Sequence, residues 1–317
     1  MPDKIRQDQQ YIACLTDFVR EAYGLEAISI VPAKRGYYGE TWRLNTEKNC
    51  YFLKLDYSSQ HQVKYRNSLE VVEYLCASGI DFISRIIKTR ADNLFSIFNS
   101  AVLCVFNWFD GDNIETDETK IPEYTLLSRI YPLTRPGFEI PSAEFSDERA
   151  NNFYAQWKQL QVEPPSEENN SILATFKQHQ EVLGHYADRL KYFSEICRNG
   201  KPRFYITHGD AGGNLMIGNG QYCIVDWDEV MYAPLERDAW FMCCYEWALK
   251  AFRDALRQNS ITDQLRPECL AFYCYHMFFL YLGEFMNDFT LSGKKQEIEN
   301  YFNCWIMERM KFADSVI

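Results

Sequence analysis

Thr207-His208-Gly209-Asp210-Ala211-Gly212-Gly213-Asn214, followed by Leu215-Met216-Ile217, Gly218-Asn219-Gly220-Gln221, Tyr222-Cys223-Ile224-Val225 and Asp226-Trp227-Asp228, decides how the rest of this chain is read. Two short apolar runs flank a Gly218-Asn219-Gly220 turn signal, which predicts a β-hairpin. With the turn centred near Asn219–Gln221, Asn214 before the first strand falls opposite Asp226 after the second. A carboxylate and an amide oxygen then stand side by side at the open end. These are hard-oxygen ligands, suited to Mg²⁺ carrying nucleotide phosphates. Asp210 lies four residues before Asn214 on a glycine-rich loop, close enough to act on a hydroxyl beside that metal.

One aspartate as base, with an asparagine and a second aspartate on the metal, is the division of labour in kinase-type phosphoryl transfer. His208-Gly209-Asp210 with Asn214, then Ile224-Val225-Asp226-Trp227-Asp228, resembles the catalytic and metal-binding motifs of the aminoglycoside phosphotransferase/choline kinase family. The continuation through Glu229, Ala233-Pro234 and Glu236-Arg237-Asp238 is most similar to the spectinomycin phosphotransferases within it. The family usually has one more residue between the aspartate and the asparagine than the Ala211-Gly212-Gly213 found here. The loop must be tighter, which the two glycines permit.

The resemblance implies an α+β, bilobal protein-kinase-like fold, with a small antiparallel-sheet N-lobe and a large, mainly helical C-lobe. The expected division is 1–106 for the nucleotide-binding lobe, 107–112 for the hinge and 113–317 for the catalytic and substrate-binding lobe. It also implies Mg²⁺ as cofactor and ATP or GTP as co-substrate. Asp210 becomes the catalytic base, and Asn214 and Asp226 become the metal ligands.

The upstream half supplies the remaining parts. Strand-like runs on either side of Arg35-Gly36-Tyr37-Tyr38-Gly39-Glu40 make a hairpin, and the resemblance implies that Gly36 and Gly39 belong to a flap over the nucleotide phosphates. Lys54 sits inside the apolar strand Tyr51-Phe52-Leu53-Lys54-Leu55. Alternation alone allows it to be an edge-strand surface charge, whereas the family places its phosphate-binding lysine on such a strand. That lysine needs a carboxylate from the helix at about Tyr65–Ala77, where Glu70 and Glu73 are the candidates. The family spacing falls near Ser68, and Glu70 is the choice. Ala101–Phe106 is a continuous apolar run, as for a buried central strand. The resemblance implies that its exit, through Phe106 and Trp108, carries the adenine-binding backbone.

Composition bounds the rest. With 317 residues, 47% hydrophobic and 16% aromatic, the chain can bury a large core. A formal net charge of −11 disfavours nucleic acid and anionic membranes as partners. Eleven cysteines, without paired C-x-x-C spacing, read as reduced thiols in a cytoplasmic protein, and the N-terminus lacks the apolar segment of a signal peptide. Five scattered histidines make a zinc site an unattractive reading.

Downstream, helices are expected over Ser146–Gln161, Ser171–Arg198, Asp238–Leu256 and Pro267–Phe289. The apolar run Cys269–Gly283 is too short for a bilayer and reads as a core helix, with His276 a packed core histidine. Gly209 replaces the arginine that protein kinases use to dock a phosphorylated loop, and Asp226 and Pro234 are too close for a peptide-docking segment. A small molecule is the natural acceptor. The acidic cluster Asp210, Asp228, Glu229 and Asp238 predicts an amine-bearing, cationic substrate such as an aminoglycoside or aminocyclitol antibiotic, with Asp228, Glu229 and Asp238 as its contacts. A housekeeping kinase of a choline-like or amino-acid-like alcohol shares these motifs. A catalytically inactive nucleotide-binding scaffold is opposed by the presence of Lys54, Asp210 and Asp226. A metal-dependent phosphohydrolase explains neither Lys54 nor the flap. The protein is expected to be a monomer or weak dimer.

Overall fold

Strict alternation along Cys50–Asp56 separates two faces of one sheet. Leu53 and Leu55 are fully buried on one face, and Phe52 and Lys54 point to the other. The structure, a computed structural model, describes residues 8–33, 39–164, 166–287 and 294–317. The chain forms two compact units, one of Met1–Pro141 with Ile206–Tyr232 and one of Ser142–Tyr205 with Ala233–Ile317. The segment 107–112 therefore lies within the first unit, together with the whole block around Asp210 and Asp226.

In the first unit, helix α1 (Gln9–Tyr23) starts at Asp8, whose carboxylate accepts from the Gln10 N–H at 2.8 Å, and stops at Gly24 in the left-handed region. An antiparallel sheet follows, in the order β1 (Ser29–Pro32), β2 (Gly39–Asn45), β3 (Cys50–Asp56), β6 (Ala101–Asn107) and β4 (Ile86–Ile87), with β5 (Ser96–Phe98) also paired to β6. Leu15, Val19 and Tyr23 of α1 pack on Trp42, Leu44, Leu53, Leu55, Leu103 and Val105 to close the sheet's apolar face. Helix α2 (Gln62–Ala77) buries Tyr65, Leu69, Val72 and Leu75.

A second, three-stranded sheet has the order β10 (Gln221–Ile224), β9 (Leu215–Gly218), β7 (Asp112–Asn113), and β8 (Tyr205–Thr207) pairs with β11 (Met231–Ala233). Helix α3 (Asp117–Ser128) starts at a reciprocal cap formed by Thr116 and Thr119.

The second unit is helical: α4 (Glu148–Leu160), α5 (Glu167–Gln178), α6 (Gln180–Gly200), α7 (Glu236–Ala239), α8 (Glu246–Gln258), α9 (Pro267–Asn287), α10 (Lys294–Tyr301) and α11 (Ile306–Ser315). The single helix expected over Ser171–Arg198 is two helices broken at His179. The one expected over Asp238–Leu256 is a short α7, a 3₁₀ turn at Trp240–Met242 and α8. In both cases the apolar spacing carried across the break, so periodicity alone could not reveal it. α9 is the hub, with Phe272, Tyr275, Phe278 and Phe279 buried and edge-to-face contacts such as Phe145–Phe272 at 5.0 Å and Tyr186–Phe278 at 5.1 Å. By length and composition α9 could cross a membrane, but 67% of its apolar window is buried inside the fold, as for a core helix.

Candidate active site

The β9–β10 hairpin closes on two residues, Asn219 (φ 51°) and Gly220 (φ 73°), both left-handed as a type I′ turn requires. This sets the register Gly218↔Gln221 through Leu215↔Ile224, and the Asn214 carbonyl then accepts from the Val225 N–H at 2.9 Å. Asn214 thus faces Val225, and Asp226 stands one residue beyond it. The expected pairing of Asn214 with Asp226 is corrected by one position, because the turn sits one half-step earlier than the glycines suggest.

Asp226 makes up the reach through its backbone. Its φ of 64° is left-handed, unusual for a residue with a side chain, and it swings the chain into a 3₁₀ turn at Trp227–Glu229. Three contacts hold that conformation. The Trp227 indole donates to the Ile224 carbonyl at 2.9 Å, His208 Nε2 donates to the Val225 carbonyl at 2.9 Å, and the two rings meet edge to face at 4.6 Å. Gly209 is required beside them: its φ is 81°, and a Cβ there would sit 1.9 Å from the Glu229 carbonyl oxygen.

The turn brings both acids of Asp226-Trp227-Asp228 to one cation. Lys54 Nζ donates to Asp226 Oδ1 at 2.6 Å and also pairs with Asp228, while its ammonium lies 5.5 Å from the Tyr65 ring centroid. Burial alone would lower the Lys54 pKa, but Asp228 and Asp226 outweigh it and the lysine is held more firmly protonated than usual. Burial pushes Asp226 up, and Lys54 more than offsets this, so its carboxyl ends below the ordinary value. Asp228, more buried and beside Asp226, ends above it.

This geometry corrects the expectation for Glu70. Glu70 is exposed, Glu73 pairs with Lys88 at 2.8 Å, and Ser68 is buried with its hydroxyl on the Tyr65 carbonyl. Lys54 takes its carboxylates from the loop after the hairpin, and α2 instead carries cations to that loop. Lys64 pairs with Glu229. His61 Nδ1 lies 2.5 Å from Asp56 Oδ2, and His61 Nε2 lies 3.8 Å from Glu229 Oε1. Burial disfavours the His61 cation, but Asp56 and then Glu229 prevail and raise its pKa to about 9.

The acidic cluster is therefore largely neutralised. Asp228 is spent on Lys54, Glu229 on Lys64 and His61, and Asp238 is buried in the second unit with 1% of its surface exposed. Of the three residues expected to contact substrate, Asp228 and Asp238 are buried, and Glu229 is partly exposed but held by Lys64 and His61. Asp210 is exposed. Asn214 Nδ2 donates to the Asp210 carbonyl at 2.8 Å and to its carboxylate at 3.3 Å, which turns the amide oxygen of Asn214 away from the aspartate.

Residues not anticipated from sequence hold the tight loop between them. Buried Lys120 donates to the Gly212 carbonyl at 2.8 Å, buried Glu123 accepts from the Gly212 N–H at 2.9 Å, and Asn113 donates to the Gly213 carbonyl. Two opposite charges three residues apart are an ordinary surface pattern, so nothing in the sequence marks them.

Of the remaining expected residues, Gly36 lies outside the described residues. Gly39 sits in β2 opposite Asp56, where a Cβ would come 1.8 Å from the Leu55 carbonyl oxygen, a close approach of strands. Phe106 is paired on both sides, with Phe52 and Ile86, and the Trp108 N–H is bonded to the Cys50 carbonyl at 3.2 Å. The Trp108 amide is thus committed inside the fold, and its indole lies under Arg43 at 4.6 Å. The donor set fits Mg²⁺. Among the described residues, no three His, Cys, Asp or Glu are gathered to hold a metal by themselves. Mg²⁺ commonly takes one or two protein oxygens and completes its shell with phosphates and water. The half-exposed Asp226 carboxylate and the Asn214 amide oxygen meet that need.

Residues 29–272 match the profile of a family described as a phosphotransferase enzyme family. No curated protein matches the chain in sequence. Among solved structures, a spectinomycin phosphotransferase in complex with ADP and spectinomycin superposes with a TM-score of 0.74 at 17% identity, covering 95% of this chain and 97% of that one. An amicoumacin kinase with AMP-PNP and Ca²⁺ gives 0.61 at 15% identity, over 99% and 96%. A microcompartment-associated aminopropanol kinase gives 0.61 at 11% identity, over 95% and 96%. At these identities the likeness establishes a shared fold, that of the aminoglycoside phosphotransferases.

Proposed function

Since the chain belongs to the phosphotransferase enzyme family, we propose that it is a small-molecule kinase that transfers the γ-phosphate of ATP or GTP to a hydroxyl of an amine-bearing acceptor. The observation that carries this reading is the convergence of Lys54 on Asp226 and Asp228, with the exposed Asp210 beside Asn214 one hairpin away.

The chain's own residues divide the chemistry. Asp210 takes the proton of the acceptor hydroxyl as the new O–P bond forms and the bond between the γ-phosphorus and the β-phosphate oxygen breaks, with the nucleoside diphosphate leaving. Asn214, bonded to both the carbonyl and the carboxylate of Asp210, orients that base. Lys54 supplies a fixed positive charge for the phosphates. Asp226 and Asn214 would hold Mg²⁺, which would neutralise charge on the transferring group. The Lys120–Glu123 clamp binds both the N–H and the carbonyl of Gly212 and so braces the loop that presents Asp210.

An amine on the acceptor is supported by the company this fold keeps: an aminoglycoside-type enzyme and an aminopropanol kinase. The net charge of −11 agrees with it. The internal pairing of Asp228 and Glu229 removes the stronger, local argument. The aminopropanol kinase keeps a housekeeping amino alcohol as the second reading beside an antibiotic. Nucleotide turnover over a panel of aminoglycosides, spectinomycin, choline and short amino alcohols, together with a susceptibility panel in an expressing host, tests both. Loss of all acceptor-dependent turnover, with nucleotide still bound, would leave the inactive scaffold.

A further inference from the structure

Arg237 is a buried arginine without a counter-charge. It lies on α7 with 8% of its surface exposed, and among the described residues no carboxylate comes within ion-pair distance of its guanidinium. Its neighbour Glu236 is directed elsewhere and accepts from the Arg266 N–H at 2.5 Å. A buried charge left unpaired is costly, so it is either an error of evolution's making or held for a ligand.

Two further polar groups stand unpaired at the same place. The guanidinium carbon of Arg237 is 5.8 Å from the Tyr273 ring centroid, and the Tyr273 ring is 6.4 Å from that of His276. Tyr273 and His276 share one face of α9 at i, i+3, and α7 packs on that helix. Among the described residues neither the Tyr273 hydroxyl nor His276 Nδ1 finds a hydrogen-bond partner, although both atoms are fully buried. Satisfied interiors do not leave two such groups beside a guanidinium that no carboxylate neutralises. Burial first, then Arg237 and the exposed Arg149, hold the His276 pKa down to about 3, so the imidazole is neutral and adds no charge.

We propose that Arg237, Tyr273 and His276 form a binding site for the carboxylate of a small-molecule ligand. One guanidinium balances one negative charge, and its planar fork matches the two oxygens of a carboxylate. The hydroxyl and the imidazole add hydrogen bonds at the edge. A phosphate, with about twice the charge, would leave one charge uncompensated here. All three residues lie in the second unit, so this carboxylate site is argued apart from the phosphoryl-transfer site of the first.

The test pairs short amino alcohols that differ only by a carboxylate, such as homoserine and 3-aminopropan-1-ol, with inorganic phosphate as a third probe. Binding is followed by calorimetry and by the thermal midpoint. The carboxylate member of at least one pair should bind at least about tenfold tighter to the wild type. Arg237→Met and Tyr273→Phe should each erase that preference. Both variants should be as stable as the wild type without ligand, or more so, because each removes an unpaired buried group. A purely structural arginine gives the opposite: loss of stability and no change in preference. No discrimination within any pair, or a response to phosphate alone, overturns the proposal. AMP-PNP binding, measured on the same proteins, reports separately on the kinase reading: its loss with carboxylate binding intact refutes that reading and not this one.

Discussion

Lys54 Nζ and Asp226 Oδ1 lie 2.6 Å apart although 172 residues separate them in the chain. The lysine stands on the polar face of β3, and the aspartate is lifted towards it by its own left-handed backbone. The same ammonium holds Asp228, so one side chain organises both acids of the loop.

Lys54→Met should therefore act twice. It removes the phosphate-binding charge, and it strands the largely buried Asp228 without a partner, which costs about 3–5 kcal/mol in comparable cases. The expected outcome is a clear drop in thermal midpoint together with loss of nucleotide affinity, read by melting and by AMP-PNP titration. A variant as stable as the wild type would mean that Asp228 is neutralised in some other way.

Asp210→Ala should separate chemistry from binding. The carboxylate is exposed and accepts from Asn214 at 3.3 Å, and it does not hold the triphosphate in this reading, so its loss should leave nucleotide affinity nearly intact. Turnover should fall by about 10²–10⁴-fold, the usual worth of a positioned general base. Retention of near wild-type kcat in a steady-state assay would remove Asp210 from the mechanism.

Lys64→Met tests the cation that α2 sends to Glu229. The pair is partly exposed, so its direct worth is about 1 kcal/mol or less. Its effect should appear instead as a raised KM for the Mg²⁺–nucleotide complex, because Glu229 closes the turn that carries Asp226 and Asp228. Lys64→Arg should restore most of it. Equal KM values for wild type and Lys64→Met would reduce the pair to a surface contact.

His61 gives a pH signature. Its folded pKa of about 9 lies above the unfolded value of 6.5, so the proton it gains favours the folded state. That stability is fully present below about pH 6.5 and is lost as pH rises through 9. His61→Gln should accordingly cost on the order of 1–3 kcal/mol near pH 6 and much less near pH 10. Denaturant melts of both proteins at the two pH values measure the difference; a pH-independent gap would mean that His61 acts by packing alone.

Gly209→Ala should destabilise by at least about 1–3 kcal/mol, because the position is left-handed and the new methyl would meet the Glu229 carbonyl. A fully stable variant with normal activity would show that the loop can move aside at no cost.

Sequence alone determined the parts whose signals are local. The alternating pattern of Tyr51–Leu55, the unbroken apolar run at Ala101–Phe106 and the Asn219-Gly220 turn each encode a strand or hairpin through side-chain periodicity or backbone freedom. The order Lys54, Asp210, Asn214, Asp226 was legible through the family resemblance, and the residue types are those that phosphoryl transfer uses. Tertiary structure decided what each charge touches. Glu70 reads as well as any partner for Lys54 until the left-handed Asp226 brings two carboxylates from the far end of the chain to the same ammonium. Asp228 and Glu229 read as substrate contacts until Lys54 and Lys64 consume them. Lys120 and Glu123 carry no mark in the sequence, and only packing places them, buried, on Gly212. The physical reason is common to all of them. A strand or a turn is specified within a few residues, whereas the partner of a charge is chosen by whichever opposite charge the packed fold brings within a few ångströms, and that distance is written nowhere along the chain.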